Sequence, residues 1–144
     1  MAFEEHADAA ALRALAATRR GGKHARSHLA RASEQLARYF SGASAELDCV
    51  VDWGRLALAE TALKATRTIP YASHRSYDRF AGPFAPRELG VIFGANPIPI
   101  ITPCHRVIRG TEVPTSFVGG VDRRQWLDAH ELNHSTLAEP LMNA

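Results

Sequence analysis

The chain has 144 residues, 46% of them apolar and 22% charged, with a formal net charge of +2 at neutral pH. Those proportions suit one globular domain and exclude a disordered or fibrous chain. No apolar run approaches the ~20 residues that span a bilayer, and two cysteines are too few for a disulfide framework.

In chain order, the first residues carry Glu4, Glu5 and Asp8 and no compact apolar core ahead of a cleavage site, so no secretory signal is expected. Reduced thiols in the cytoplasm follow as the expectation. "HADAAALRALAATRR" reads as a helix with Leu12 and Leu15 on one side, broken at "RGGK" by paired glycines. "SHLARASEQLARYFSG" is a stronger amphipathic helix: Ser27 as N-cap, an apolar stripe of Leu29, Ala32, Leu36, Ala37 and Phe40, and Gly42 as the stop. Arg13, Arg19, Arg20, Lys23, Arg26, Arg31 and Arg38 crowd this first part, and their plain reading is a solvated basic helix face. "ELDCVVDW" is a short strand candidate holding Cys49. "RLALAETALKATRTI" is a helix that ends before Pro70.

"YASHRSYDRFAG" holds a turn and a short helix from Ser76. "APRELGVIFGAN" is a helix with Pro86 in its first turn. Two short helices around a Gly-Pro turn resemble a helix-turn-helix. Pro97, Pro99 and Pro103 then forbid regular helix and predict a stiff, extended loop. "HRVIRG" and "SFVGGV" read as short strands or loop edges. "DRRQWLDAHEL" is a last helix with Trp126, Leu127 and Leu132 facing inward, and the final ten residues are a loose tail. The fold class is α+β, mostly α. The expected division is a reduced amino-terminal helical region with one strand (1–52), a catalytic domain (53–134) and a tail (135–144).

The chemistry centres on "GANPIPIITPCHRVIRG". A core thiol needs no proline bracing, whereas a nucleophile gains from being held in one orientation. A thiol at its usual pKa of ~8.5 is mostly protonated at neutral pH and needs a base or a positive field. His105 is the adjacent base. Glu131, beside His130 in the last helix, is the best-placed carboxylate to hold the second ring nitrogen. The competing reading of Cys104 is a small buried hydrophobe. Cys49, Cys104 and the scattered histidines form no close ligand pair, so no metal site is expected.

With these residues in view, the chain resembles the O6-alkylguanine-DNA alkyltransferases, the methylated-DNA–protein-cysteine methyltransferases. The resemblance runs through "TRTIPYASHRSY", "GANPIPIITPCHRVI" and "FVGGVDRRQWLDAHE", in the family's order, and covers about Glu46 to His134. It implies a helix-turn-helix, winged-helix-like domain that moves an alkyl group from the guanine oxygen to a cysteine, once per molecule and without a cofactor. Cys104 would be the acceptor and His105 its activator through a water, with Glu131 orienting His105. Asn96 would hold the turn, and Tyr77 would supply the proton or donor that the leaving guanine needs. The backbone around Val107 and Val118 would read the flipped base, with Phe117 against its face. Arg87 would fill the gap left in the duplex, with Ser76, Gly90 and Arg106 also on the DNA side. The implied partner is double-stranded DNA with an alkylated guanine, bound by a monomer without a membrane.

Three departures shape the expectations. The family's amino-terminal sheet is reduced to one strand or lost. The segment between Tyr77 and Arg87 is shorter than usual, which clips the first helix of the motif. Pro86 and Glu88 flank Arg87, and a carboxylate facing phosphates weakens the electrostatic part of DNA binding. The loop "RGTEVPTS" lacks the family's glycines, and Thr115 and Val118 reshape the pocket rim. Two alternatives stand beside DNA repair: a diverged acceptor for a small electrophile, and a non-catalytic sensor of alkylated DNA. Sensors of that kind replace the cysteine that this chain keeps.

Overall fold

A computed structural model describes residues 23–53, 59–79, 84–110 and 117–137. The helix expected over "HADAAALRALAATRR", its Gly-Gly break, the Gly-Pro turn at 82–83 and Thr115 lie outside these residues.

The amphipathic segment forms α1 (Lys23–Phe40). It begins about a turn before Ser27, which is therefore an interior residue and not the N-cap. Its fully buried side chain is Tyr39, whereas Ala37 of the expected stripe is exposed. The helix stops as expected at Gly42, whose φ of +69° lies in the left-handed region. The Gly42 N–H donates to Tyr39 O (3.0 Å) and the Ala43 N–H to Arg38 O (2.9 Å), the paired bonds of a Schellman cap. A Cβ at residue 42 would also lie 2.2 Å from the His134 ring, so this site has two independent reasons to be glycine.

"ELDCVVDW" is not a strand. Among the described residues it meets no strand to pair with, and side chains hold it instead. Arg31 and Gln35 of α1 both donate to Asp48, the Cys49 thiol donates to Gln35 Oε1 (3.0 Å), and Arg67 Nη2 donates to Leu47 O (3.2 Å). Helix α2 (Glu60–Thr66) buries Ala62, Leu63 and Thr66 and ends ahead of Pro70.

Strand β1 (Arg75–Ser76) pairs in parallel with β2 (Val107–Ile108), Arg75 opposite Val107. The expected helix from Ser76 is a 3-10 turn, Tyr77–Arg79, that follows the strand. Helix α3 (Pro86–Gly94) has Pro86 at its start, as expected, and buries Leu89 and Phe93. A second 3-10 turn, Cys104–Arg106, leads into β2. Helix α4 (Val121–Asn133) is followed by a 3-10 turn at 135–137, where a loose tail was expected and where Leu137 instead packs against the Tyr39, Tyr71, Ile100 and Leu127 cluster. Of "SFVGGV", residues 117–121 form a turn and the start of α4, the loop-edge alternative and not the strand.

Helix α4 turns Arg124, Leu127, His130 and Glu131 inward, while Trp126 is 40% and Leu132 67% exposed. Both were expected to be buried. The inward stripe repeats at helical spacing, but most of it is polar, because this face lines a site and not a hydrocarbon core. Trp126 instead stacks on His130, with centroids 4.8 Å apart and planes 9° apart.

Two apolar clusters frame the molecule. One joins α2, α3 and the Cys104 turn through Leu63, Leu89, Phe93, Cys104 and Val107. The other joins α1 and α4 through Tyr39, Tyr71, Ile100 and Leu127. Phe117 packs against both. Among the described residues no helix is long and apolar enough to cross a membrane.

Candidate active site

The proline-rich loop is less extended than its composition suggests. Thr102 N–H reaches back to Ile98 O (3.1 Å), and Ile100 takes a φ of +80°, strained for a β-branched residue and held there by packing against the α1–α4 cluster. Asn96 ties the loop together. Its Oδ1 accepts from Ile98 N (3.1 Å) and Thr102 Oγ1 (2.8 Å), and its Nδ2 donates to Thr102 O (2.9 Å) and Cys104 Sγ (3.2 Å). All the hydrogen-bonding positions of a fully buried amide are thereby used.

Cys104 is 2% exposed. Burial pushes its thiol up, and the bond from Asn96 and the charge of Arg124 only partly oppose that. The sulfur therefore rests as a neutral thiol.

His105 is fully buried, and its Nε2 lies 2.8 Å from Glu131 Oε1. An ionised carboxylate only accepts, which places the proton on Nε2 and leaves Nδ1 with a lone pair. Nδ1 has no hydrogen-bond partner within the described protein. Burial pushes the imidazole down, more than Glu131 raises it, so the ring is neutral at pH 7.

Glu131 is the hub. Its Oε1 accepts from His105, from Tyr39 OH (2.7 Å) and from Arg106 Nη2 (2.9 Å). Its Oε2 accepts from Arg106 Nε (3.0 Å) and Ala72 N (2.9 Å). Burial alone would raise this carboxyl, but the bonds from His105 and Arg106 outweigh it and hold Glu131 well below the usual carboxylate range.

Arg106 corrects one expectation. Placed on the DNA side by its position in the motif, it is 7% exposed and turned inward. Its fork grips Glu131, Nη1 donates to Ile69 O (2.8 Å), and the guanidinium lies over Tyr71 at 5.5 Å. A planar fork matches a carboxylate two-to-two, and that pairing has won over any phosphate.

The remaining candidates divide by face. Tyr77 is half-buried, packs on Phe93 (centroids 5.9 Å apart), and lies within electrostatic reach of Cys104 and Arg124. Val107 is buried behind the cysteine and Phe117 is half-buried, whereas Val118 is 41% exposed. Ser76 is half-buried in β1, with its Oγ 3.3 Å from Asp78. Arg87 and Val91 are exposed on α3, and a Cβ added at Gly90 would meet nothing within 4 Å. Glu88 Oε2 accepts from Ala85 N (2.7 Å), so its carboxylate turns back onto the helix start.

Two residues escaped the sequence reading. Arg124, 2% exposed, donates from Nη2 to the carbonyls of His105 (2.6 Å) and Val107 (2.7 Å), bracing the cysteine turn, and its Nε lies 3.8 Å from Asp128. Tyr39 reaches Glu131 from α1. The available signal for Arg124 was its spacing: it lies seven residues before Glu131, two turns along one helix face. Nothing local to Tyr39 marks it.

A buried thiol followed in the chain by a neutral imidazole anchored on an ionised carboxylate, on a small α+β scaffold with a short exposed helix alongside, brings together the groups that nucleophilic cysteine chemistry needs. A family model described as the DNA-binding domain of 6-O-methylguanine DNA methyltransferase matches residues 57–133, more than half the chain. The chain belongs to this family. It is 42% identical over 108 residues to the methylated-DNA–protein-cysteine methyltransferase of Mycolicibacterium paratuberculosis, covering 72% of this chain and 66% of that protein. It is 38% identical over 104 residues to the protein of the same name from Salmonella typhimurium, covering 69% and 61%. Among solved structures, a variant of the Mycobacterium tuberculosis O6-methylguanine methyltransferase superposes with a TM-score of 0.65 at 37% identity, covering 74% of this chain and 67% of that one. The M. tuberculosis OGT in complex with DNA gives 0.61 at 34% identity, covering 74% and 68%. The chain spans less than two thirds of the length of these curated relatives.

Proposed function

We propose that this chain repairs alkylated guanine in duplex DNA by moving the alkyl group from guanine O6 to Cys104 Sγ, once per molecule. The observation that carries the reading is the relay: a neutral thiol, and a neutral imidazole whose Nε2 is fixed 2.8 Å from an ionised Glu131.

In this reading the Cys104 proton passes through one water to Nδ1 of His105, and Glu131 stabilises the imidazolium as it forms. The sulfur attacks the alkyl carbon in line, the S–C bond forms and the C–O6 bond breaks. The departing guanine takes a proton delivered by Tyr77, which the imidazolium replaces. The balance is one thiol and one alkylguanine in, one thioether and one guanine out, with no cofactor. Asn96 and Arg124 hold the turn. Phe117, Val118 and the backbone at Val107 surround the purine, which must leave the stack to react. Helix α3 enters the minor groove, with Arg87 at the vacated position and Ser76 and Gly90 alongside. Glu88, turned onto the positive end of its own helix, faces DNA less directly than its position implied, which favours duplex DNA over a small electrophile.

Incubation with an equimolar duplex carrying O6-methylguanine should add one methyl mass, mapped to Cys104 by peptide mass spectrometry, and Cys104→Ala should add none. A wild-type chain that stays unmodified refutes the reading.

A further inference from the structure

Tyr39 lies upstream of the family-matched segment, yet its hydroxyl is 2.7 Å from the same Glu131 oxygen that receives His105. The side chain is fully buried, and its ring is fixed edge-on against Phe40 and Tyr71 (centroids 5.5 and 5.9 Å away). Its backbone carbonyl is held as well, by His130 Nε2 at 2.8 Å. This hydroxyl is thus aimed from both ends. We propose that Tyr39 of α1 is a positioning residue of the relay, which sets the proton affinity of His105 by sharing the charge on Glu131 Oε1.

The physical reason is competition for one oxygen. Each donor to Oε1 withdraws negative charge that would otherwise stabilise a protonated His105. The phenol serves as a permanent donor, because burial and the neighbouring carboxylate push its own ionisation out of reach. The groups facing His105 are few. Glu131 and Asp128 of α4 favour its protonation. Arg106 beside it opposes protonation, and Arg124 binds its carbonyl. Cys104 precedes it in the same turn, and Tyr39 and Tyr71 stand across Glu131. Of these, Tyr39 contributes a hydrogen bond to the shared oxygen that can be deleted without changing a formal charge. Helix α1 therefore adds to burial in keeping the base unprotonated at neutral pH while Glu131 stays ionised. The role rests on the proposed use of His105 as a base.

The test is Tyr39→Phe, which keeps the ring and removes the hydroxyl. Cys104 alkylation by chloroacetamide is followed by intact mass from pH 5 to 9, and His105 is titrated by its ring 15N shifts. Loss of a hydrogen bond of ordinary strength should raise the His105 midpoint by about 0.7 pH unit, roughly fivefold in proton affinity. The acid limb of the rate profile should move up with it, and the rate above pH 8 should stay within about twofold. Tyr71→Phe, which removes a hydroxyl with no hydrogen-bond partner among the described residues, should move neither. An unmoved midpoint, or a uniform fall in rate at every pH, overturns the proposal. If Tyr39→Phe does not fold, 3-fluorotyrosine at position 39 keeps the shape, strengthens the donor and should move the limb down; an unmoved limb there is equally fatal. Neither readout uses DNA, so failure of the methylated duplex to react would refute the repair reading and leave this result standing.

Discussion

At Cys104 two local effects oppose each other. Burial raises the thiol, while the amide of Asn96 and the buried cation of Arg124 lower it. Arg124 is the less visible of the pair and has the wider reach, since one guanidinium nitrogen binds the carbonyls on both sides of Arg106. Arg124→Met preserves much of the volume but leaves those two carbonyls unpaired and removes the charge. A loss of roughly 2–4 kcal/mol in stability is expected from buried acceptors without partners. The thiol should also need a higher pH to react with chloroacetamide. Urea unfolding and the pH dependence of that reaction check the two effects separately, and a stable variant with an unmoved profile would deny Arg124 both roles. At this scale the sequence was informative wherever chemistry is carried by neighbours. Cys104, His105 and the prolines around them declare themselves within one decapeptide. The direction of Arg106 did not, because a guanidinium beside a histidine points to DNA or to a carboxylate with equal local logic.

At the scale of elements, the helices were legible from their periodicity, but the faces they bury were only partly so: α1 buries Tyr39 and exposes Ala37. Helix α3 began at Pro86, as its sequence implied. Helix α4 turned its polar face inward, so Trp126 and Leu132 were assigned to the wrong side. "ELDCVVDW" had strand composition but no strand to pair with among the described residues, and strand formation is a property of pairs. The junction between α1 and α4 depends on Gly42, where the left-handed backbone and the His134 ring coincide. Gly42→Ala should lower stability by about 1–2 kcal/mol for the backbone alone, with more from the displaced ring. For a domain of this size that is a fall in Tm of several degrees, read by thermal unfolding. A melting temperature equal to the wild type would contradict the described cap.

Across the whole molecule, the buried His105–Glu131 pair ties the Cys104 turn to α4, which makes stability and chemistry sensitive to the same protons. His105 is held below its ordinary pKa of 6.5, so below that pH the unfolded chain takes up a proton that the folded chain refuses. Glu131 is held below its ordinary 4.5, so the same inequality returns at lower pH. Both contributions make stability fall as pH falls, first below about 6.5 and again below about 4.5. One proton of difference corresponds to about 1.4 kcal/mol per pH unit. Urea midpoints measured from pH 8 to 4 should decline in that order, and His105→Gln should flatten the upper part of the decline. A wild-type midpoint that is level between pH 7 and 5 would mean that the buried imidazole is not neutral.

The sequence alone determined what depends on neighbours along the chain: the helix stop at Gly42, the helix opened by Pro86, the proline-braced cysteine with its adjacent imidazole, and the order of motifs that places the chain in its family. Short-range sterics and helical periodicity act over a few residues and leave their mark in the order of amino acids. Only the tertiary structure decided which groups share Glu131, that Arg106 faces inward, that Arg124 braces the cysteine turn, and that α1 delivers Tyr39 to the relay. Those outcomes join residues far apart in sequence. They turn on which donor reaches one buried carboxylate first, a contest settled by packing in three dimensions.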